Sequence, residues 1–347
     1  MIKHALATIE RGAVGNHALG INSALNEAGI QVKTYAETIR PEFTDTTATM
    51  NEFSAQLSDD DLVLYQFANP SPMADVLYER KCRLVINYHN ITPASYFARW
   101  SPATAAAISR ARSQLARLAS VTTAAIAVSD YNASELVALG YRNVTVIPPV
   151  FSDAFYGAKN EEKGLNSNSQ WLYVGRIAPH KNVHVLIHAF EIYLKNHDEN
   201  AKLTIVGTTD TPLYGHAIEE LIKERNLEQC ISIVSGADLN DLIGIYKSSS
   251  VFVSASEHEG FCVPIIEAMT VGIPVVAVNT AAIGETSASA SILVSEPDPE
   301  LICEAVAKLE FDATKQAEMK ERGFARSDKF DPRKSQQKYV QFISEWL

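Results

Sequence analysis

Apolar positions along the chain gather into short unbroken runs, and between the runs they recur every third or fourth residue. The first half carries runs at Lys3–Ile9, Gln31–Ala36, Leu62–Phe67, Leu84–Tyr88, Ala125–Val128 and Val144–Ile147. The second half carries them at Trp171–Val174, Lys202–Val206, Ile231–Val234, Val251–Ser254, Pro274–Val278 and Ser291–Val294. Continuous apolar runs predict strands buried on both faces, and strands alternating with helical spacing predict parallel sheets covered by helices. The expected class is α/β, with doubly wound parallel sheets. At 347 residues the chain exceeds what one core normally serves, and division into two units of about 150 residues is the ordinary solution. The expected boundaries are 1–150 and 151–329, with the polar stretch Gly157–Ser169, following Pro148 and Pro149, as the connection. Phe330–Leu347 has helical spacing at Tyr339, Phe342, Ile343 and Trp346 and predicts a closing helix.

Chemistry concentrates in two patches of the second half. Ser256–Met269 reads Ser-Glu-His-Glu-Gly-Phe-Cys-Val-Pro-Ile-Ile-Glu-Ala-Met, with Glu259 and Glu267 separated by seven residues. Gly260 lets backbone approach a ligand, Pro264 suits a first helical turn, and Ile265–Val271 looks helical, so Glu259 falls in a loop and Glu267 inside a helix. The unpaired N–H groups of that helix start, Phe261, Cys262 and Val263, face whatever the loop holds. Two acidic side chains beside them suit the hydroxyls of a sugar or ribose better than a bare phosphate. The plain alternative is a solvated loop acid plus a helix-face acid. The second patch, Trp171–Lys181, is an apolar strand ending in Gly175 that delivers Arg176 and Lys181 into the following loop. Two cations and a glycine at the carboxyl end of a strand provide the charge, the bidentate fork and the backbone room that a diphosphate needs.

Together these patches resemble the nucleotide-sugar half of the family 4 retaining glycosyltransferases, the glycosyl transferases group 1 with the GT-B fold. The resemblance makes Glu259 the sugar contact, Glu267 the ribose contact, and Arg176 and Lys181 the diphosphate clamp. It extends to Arg11–His17, where Gly12 and Gly15 resemble the family's glycine loop, although such a turn serves packing in many doubly wound proteins. It extends also to Leu84–Pro93, which releases His89 at the end of a strand, where the family has a histidine near the anomeric centre. Ala127–Asp130 and Val146–Pro149 are similar to its later segments, but the family's Asn-Gly after that last proline is missing. The resemblance implies two Rossmann-like domains facing across a cleft: an acceptor-binding domain at 1–150, a donor-binding domain at 151–329, and a helix at 330–347 crossing back to the first. It implies a metal-independent, retaining hexosyl transfer from a nucleotide diphosphate sugar, GDP-mannose or a UDP-hexose, to a hydroxyl of a glycan or lipid-linked glycan in cell-surface polysaccharide or lipopolysaccharide synthesis. Glu259, His89, Arg176 and Lys181 are then the groups at the reaction. A glycosidase-like use of both carboxylates is set aside, because Glu267 is committed to the ribose. A non-hydrolysing nucleotide-sugar epimerase and a non-enzymatic nucleotide-sugar-binding protein are the alternatives. A sugar phosphorylase is disfavoured by the short chain, and the lack of a Gly-x-Gly-x-x-Gly fingerprint weakens a dehydrogenase reading.

Composition narrows the setting. The net charge of -11 is uneven: residues 1–150 hold 12 Lys and Arg against 13 Asp and Glu, leaving 18 against 28 for the rest. Within 80–129 stand Arg80, Lys81, Arg83, Arg99, Arg110, Arg112 and Arg117 with no acidic residue. Such a stretch suits peripheral contact with anionic lipid or an acceptor diphosphate; the alternative is a helix face whose acidic partners come from elsewhere in the fold. Overall acidity argues against nucleic acid. No run of about 18 apolar residues occurs, and Met1–His4 opens into a strand without a signal-peptide pattern, so a cytoplasmic protein, peripheral at most at the inner face of the membrane, is expected. Cys82, Cys230, Cys262 and Cys303 form no paired motif and are expected as reduced thiols. Asp59–Asp61 reads as a turn rather than a metal-binding Asp-x-Asp, and His180, His184 and His188, though at helical spacing, lack the companion ligands of a metal motif.

Overall fold

A computed structural model describes residues 1–158, 168–209 and 211–347. The chain divides into two compact units, one of Met1–Ser95, Pro102–Ser152 and Asp331–Leu347, the other of Tyr96–Ser101 and Asp153–Phe330. Most of the connection expected at Gly157–Ser169 lies outside the described residues.

The first unit is built on a parallel sheet of β1 (Ile2–Ile9), β2 (Val32–Ile39), β3 (Thr47–Thr49), β4 (Leu62–Phe67), β5 (Arg83–Tyr88), β6 (Ala124–Ala127) and β7 (Val144–Val146). Its order is β3-β2-β1-β4-β5-β6-β7. Every residue of β4 is buried, as an apolar run covered on both faces requires. The pleat sends Val63, Tyr65 and Phe67 into one cluster with Leu84, Ile86 and Tyr88. It sends Leu62 and Leu64 into another with Val85 and Ile126. The closing helix, Pro332–Ser344, buries Tyr339, Phe342 and Ile343 in that second cluster, against Ile2, Ile21 and Leu25. Its apolar stripe is thus covered within the first unit, although 178 residues of the second, Asp153–Phe330, precede it in sequence.

The second unit carries β8 (Gln170–Val174), β9 (Lys202–Val206), β10 (Ile231–Val234), β11 (Val251–Ser254), β12 (Val275–Val278) and β13 (Ile292–Val294). The order is β10-β9-β8-β11-β12-β13, again parallel throughout. Trp171 fills its core, edge-on to Phe190 at 5.4 Å between ring centroids. The segment Tyr96–Ser101, expected in the first domain, belongs to this unit: Trp100 meets Tyr214 edge-on at 5.1 Å and Phe97 meets His180 at 5.5 Å. Burial of those two aromatic rings outweighs proximity in sequence.

Each sheet reverses its order beside the first strand, between β1 and β4 and between β8 and β11. In open parallel sheets, ligands bind outside the carboxyl ends of the strands at such a reversal. The second reversal also brings backbones unusually close. Gly207, with φ of 158°, lies so near Gly175 that a Cβ on Gly207 would stand 1.9 Å from the Gly175 carbonyl oxygen. We expect Gly207→Ala to destabilise the second unit by about 2–4 kcal/mol, through backbone displacement and a strained φ. Gly244, exposed in the helix Leu239–Ser248 with no atom near its missing Cβ, is the control. Gly244→Ala should stabilise by roughly 0.5–1 kcal/mol. Thermal unfolding of the two variants checks both signs.

Candidate active site

The two sequence patches, about eighty residues apart, meet because β8 and β11 pair directly, Trp171 opposite Val251 and Leu172 opposite Phe252. After β8, Gly175 donates its N–H to Val206 O at 2.9 Å, and the Tyr173 hydroxyl donates to Arg176 O at 3.0 Å. These bonds fix the turn and leave the Arg176 side chain exposed. A single turn, Pro179–Lys181, follows, and Asn182 leaves it in the left-handed region at φ 50°. From there the Asn182 amide donates to Ala255 O at 3.2 Å and to the Glu257 carboxylate at 2.8 Å, while Glu257 N–H donates to His180 O at 2.9 Å. The loop after β12 joins the same set, with Thr280 Oγ1 donating to Glu257 O at 2.9 Å and Ala282 N–H to Glu259 O at 3.2 Å. Three loops at the carboxyl edge of the sheet are therefore tied together by hydrogen bonds from neighbours of the predicted residues.

Within this frame Lys181 Nζ sits 2.6 Å from Glu259 Oε1, their side chains only 12% and 13% exposed. A buried pair of this kind leaves a costly uncompensated charge if either member is removed. The helix predicted at Ile265–Val271 runs Val263–Val271 with Pro264 in its first turn. Its N-terminal residue, Cys262, is held in the left-handed conformation at φ 67°, and no side chain caps the helix. Phe261 and Cys262 are buried and Gly260 and Val263 half-buried. Burial, and then the Glu259 carboxylate beside it, push the Cys262 thiol well above its ordinary range, so it is inert.

Glu267 lies one helical turn further in. The Tyr246 hydroxyl donates to its carboxylate at 2.8 Å and also lies 3.4 Å from Pro264 O. Burial pushes the Glu267 carboxyl up to about 7, and the Tyr246 bond opposes that rise. Sequence reasoning missed Tyr246, Asn182 and Gly207. Asn182 and Gly207 carried a readable signal, the residue types that tolerate positive φ just after a strand or turn; Tyr246 carried none.

In the first unit, Gly12 precedes the helix Ala13–Glu27 at φ 156°. A Cβ on Gly15 would lie 1.8 Å from Glu10 O, so Gly15 is required by packing of that helix against the end of β1. His89 stands just past β5, half-buried, with Nε2 2.5 Å from Gln66 Oε1. Burial pushes its imidazole down to about 3, so it is neutral near pH 7.

The demoted motifs have other partners. Asp61 closes a turn by accepting from Ser58 N–H at 2.7 Å and pairs with Lys3. His180 packs against Tyr96 and Phe97, His184 Nδ1 lies 3.0 Å from the Tyr214 hydroxyl, and His188 is 3.7 Å from Glu191. The four cysteines are free thiols. The arginines of the helix Pro102–Leu118 do not form a bare cationic face: Arg110 and Arg117 share Asp75 at 2.9 and 3.3 Å, and Arg112 meets Glu135 at 2.6 Å. Their acidic partners come from elsewhere in the fold. Among the described residues no helix is long and apolar enough to cross a membrane.

Residues 158–326 match the family described as glycosyl transferases group 1. The second unit belongs to that family. A capsular polysaccharide biosynthesis glycosyltransferase of Staphylococcus aureus, CapM, is 33% identical over 156 residues, 42% of this chain and 38% of that protein. O-antigen chain mannosyltransferase B of Escherichia coli is 28% identical over 131 residues, 38% of this chain and 34% of that protein. The chain thus matches little more than a third of the length of these relatives. Among solved structures, Anabaena HepE in complex with UDP and glucose superposes with a TM-score of 0.75 at 17% identity, over 99% of both chains. WaaG, a glycosyltransferase involved in lipopolysaccharide biosynthesis, superposes at 0.76 and 16% identity, over 99% of both. The fold is that of the GT-B glycosyltransferases.

The Tyr246 bond has a measurable consequence. Tyr246→Phe removes the interaction that favours the Glu267 carboxylate, so the Glu267 titration midpoint should move above about 7. A carbon-13 titration of the glutamate side chains follows it; a lower midpoint would show that Tyr246 does not control this carboxyl.

Proposed function

We propose that the chain is a retaining glycosyltransferase that moves a hexosyl unit from a nucleotide diphosphate sugar to a hydroxyl of a glycan or lipid-linked glycan, in the synthesis of a cell-surface polysaccharide. The observation that carries this reading is the convergence of Arg176, the Lys181–Glu259 pair and the uncapped helix start at one strand-order reversal. The family of the second unit and the printed roles of its relatives in capsule and O-antigen synthesis support it. HepE, whose fold is shared, was solved with UDP and glucose, which supports a nucleotide-sugar donor.

As the sugar–phosphate bond breaks, negative charge grows on the departing diphosphate. Fixed positive groups aimed there favour that state over the ground state. Arg176 is exposed, and Lys181 is paired with Glu259 in the free chain. A bound diphosphate competes with Glu259 for the ammonium, and sugar hydroxyls then donate to the carboxylate in its place. Ligand binding therefore replaces one charge-assisted contact with two, without leaving either buried charge alone. Glu267 accepts from the ribose. The departing phosphate oxygen takes the acceptor proton, so no separate protein base is needed. Because the arginines of Pro102–Leu118 are paired with Asp75 and Glu135, we leave membrane contact out of this reading.

Two substitutions separate the roles of the carboxylates. Glu259→Gln should remove most turnover, since a contact used in the transition state governs rate, and should hold or raise nucleoside diphosphate affinity, because no carboxylate then competes for Lys181. Glu267→Gln should instead weaken nucleotide binding by about 1.5–3 kcal/mol through lost charge-assisted hydrogen bonds. Calorimetry with UDP and GDP, beside transfer assays with a panel of sugar donors, reads both; equal affinity loss in the two variants would abolish the division. Turnover in the same assay should survive EDTA, because Arg176, Lys181 and the helix start supply the positive charge that an ion would otherwise bring. Loss of activity that Mn or Mg restores would overturn this.

A further inference from the structure

The chain passes between the two units twice, leaving the first after Ser152 and returning to it at Asp331. At each passage an aromatic ring of the second unit packs on a residue of the candidate site. Phe155 stands just past the first passage, in the short helix Ala154–Gly157, and is buried. Its ring meets Tyr246 edge-on, 5.4 Å between centroids and 89° between planes. Phe252 of β11 stacks on the same Tyr246 ring at 6.4 Å. Tyr246 is fully buried, so its ring is set by one neighbour from the sheet and one from the connection, and its hydroxyl is thereby aimed at Glu267.

Phe330 is the last residue of the second unit and is half-buried. It meets Phe261 edge-on at 5.1 Å and 87°, and Phe261 directly precedes Cys262, from which the helix Val263–Val271 starts. The Arg326 guanidinium lies 4.6 Å from the centroid of the Phe330 ring. Arg326 is itself fixed, donating to Thr286 O at 2.8 Å and to Glu285 O. Earlier in the same helix, Ala313–Ser327, Gly323 lies against Met269, where a Cβ would stand 3.3 Å from Met269 Cγ. The segment that leads out of the unit therefore holds Val263–Val271 at two levels. The Tyr156 hydroxyl donates to Ser327 O at 2.7 Å and ties the two passages to each other.

These rings do more than exclude water. An edge-to-face pair fixes orientation and is favourable beyond the area it buries. The helix start needs such support, because no side chain caps it and it passes through a left-handed, non-glycine residue. We infer that Phe155 and Phe330 are positioning residues for nucleotide binding: Phe155 sets Tyr246 and through it Glu267, and Phe330 sets Phe261 and through it the backbone at the start of Val263–Val271. The stretches by which the chain enters and leaves the second unit are thus part of the frame of the site. The inference rests on the reading that this site takes a nucleoside diphosphate; the ring contacts themselves do not.

Calorimetry of the full chain with UDP and with GDP tests the Phe330 link. Phe330→Leu keeps apolar area and removes the ring, and should weaken binding of the nucleotide that the wild type takes by about three- to tenfold. Phe330→Tyr keeps the ring and should restore wild-type affinity. Phe190→Leu is the control, a fully buried ring of the same unit packed on Trp171: it should lower the unfolding temperature and leave affinity unchanged. Unchanged affinity in Phe330→Leu, or an equal loss in Phe190→Leu, would overturn the positioning role. Phe155→Leu is read without nucleotide. The Glu267 titration midpoint should rise above about 7 as the Tyr246 bond loosens, and an unchanged or lower midpoint would overturn the Phe155 link. Should Phe155→Leu fail to fold, Phe155→Met carries the same expectation. Wild-type protein that binds neither UDP nor GDP would sink the nucleotide reading and with it the Phe330 role, and the Glu267 midpoint would still decide whether Phe155 sets Tyr246.

Discussion

The pairing of β8 with β11 is the constraint on which the second unit depends. Sequence order alone would place β11 far from β8, behind two further strand–helix units; reversal of the strand order beside β8 puts them edge to edge. Every feature of the site then follows from the two loops that leave those strands on the same edge. Gly175 and Gly207 allow the backbones to approach, Asn182 ties one loop to the other, and the Lys181–Glu259 pair closes across them. Remove the reversal and the same residues are two unrelated patches of charge.

Electrostatics distinguishes the two units. The second is acidic as a whole, yet the carboxyl edge of its sheet gathers Arg176, Lys181 and an uncapped helix start, and one of its carboxyls, Glu267, is driven by burial toward neutrality. Local placement, not net charge, decides what such an edge attracts. The first unit takes the opposite course. Its interior joins buried imidazoles to amide side chains by hydrogen bonds, and its basic helix is matched by Asp75 and Glu135. A buried polar network of this kind adds definition rather than attraction.

Strands were legible wherever an apolar run was continuous: Leu62–Phe67, Lys202–Val206, Ile231–Val234 and Val251–Ser254 fall on the residues expected. β3 was not, because Thr47–Thr49 is a three-residue edge strand with no apolar run to announce it. The loop placement of Glu259 and the helical placement of Glu267 were legible from Gly260 and Pro264, whose backbone preferences are local. Partners were not. Tyr246 beneath Glu267, Gln66 beneath His89 and the migration of Tyr96–Ser101 into the second unit are products of long-range packing, which leaves no periodic trace. The charge run 80–129 shows the same limit, since its counter-ions Asp75 and Glu135 lie outside it.

The central claim is that the reversal between β8 and β11 is where the nucleotide diphosphate binds. A crystal structure of the chain with UDP or GDP tests this most directly. The diphosphate should lie within hydrogen-bonding distance of Arg176 and of the backbone at Cys262–Val263, with the ribose hydroxyls on Glu267 and Lys181 drawn from Glu259 toward phosphate. A nucleotide seated instead at the carboxyl ends of β1 and β4, with the Lys181–Glu259 pair undisturbed, would contradict it.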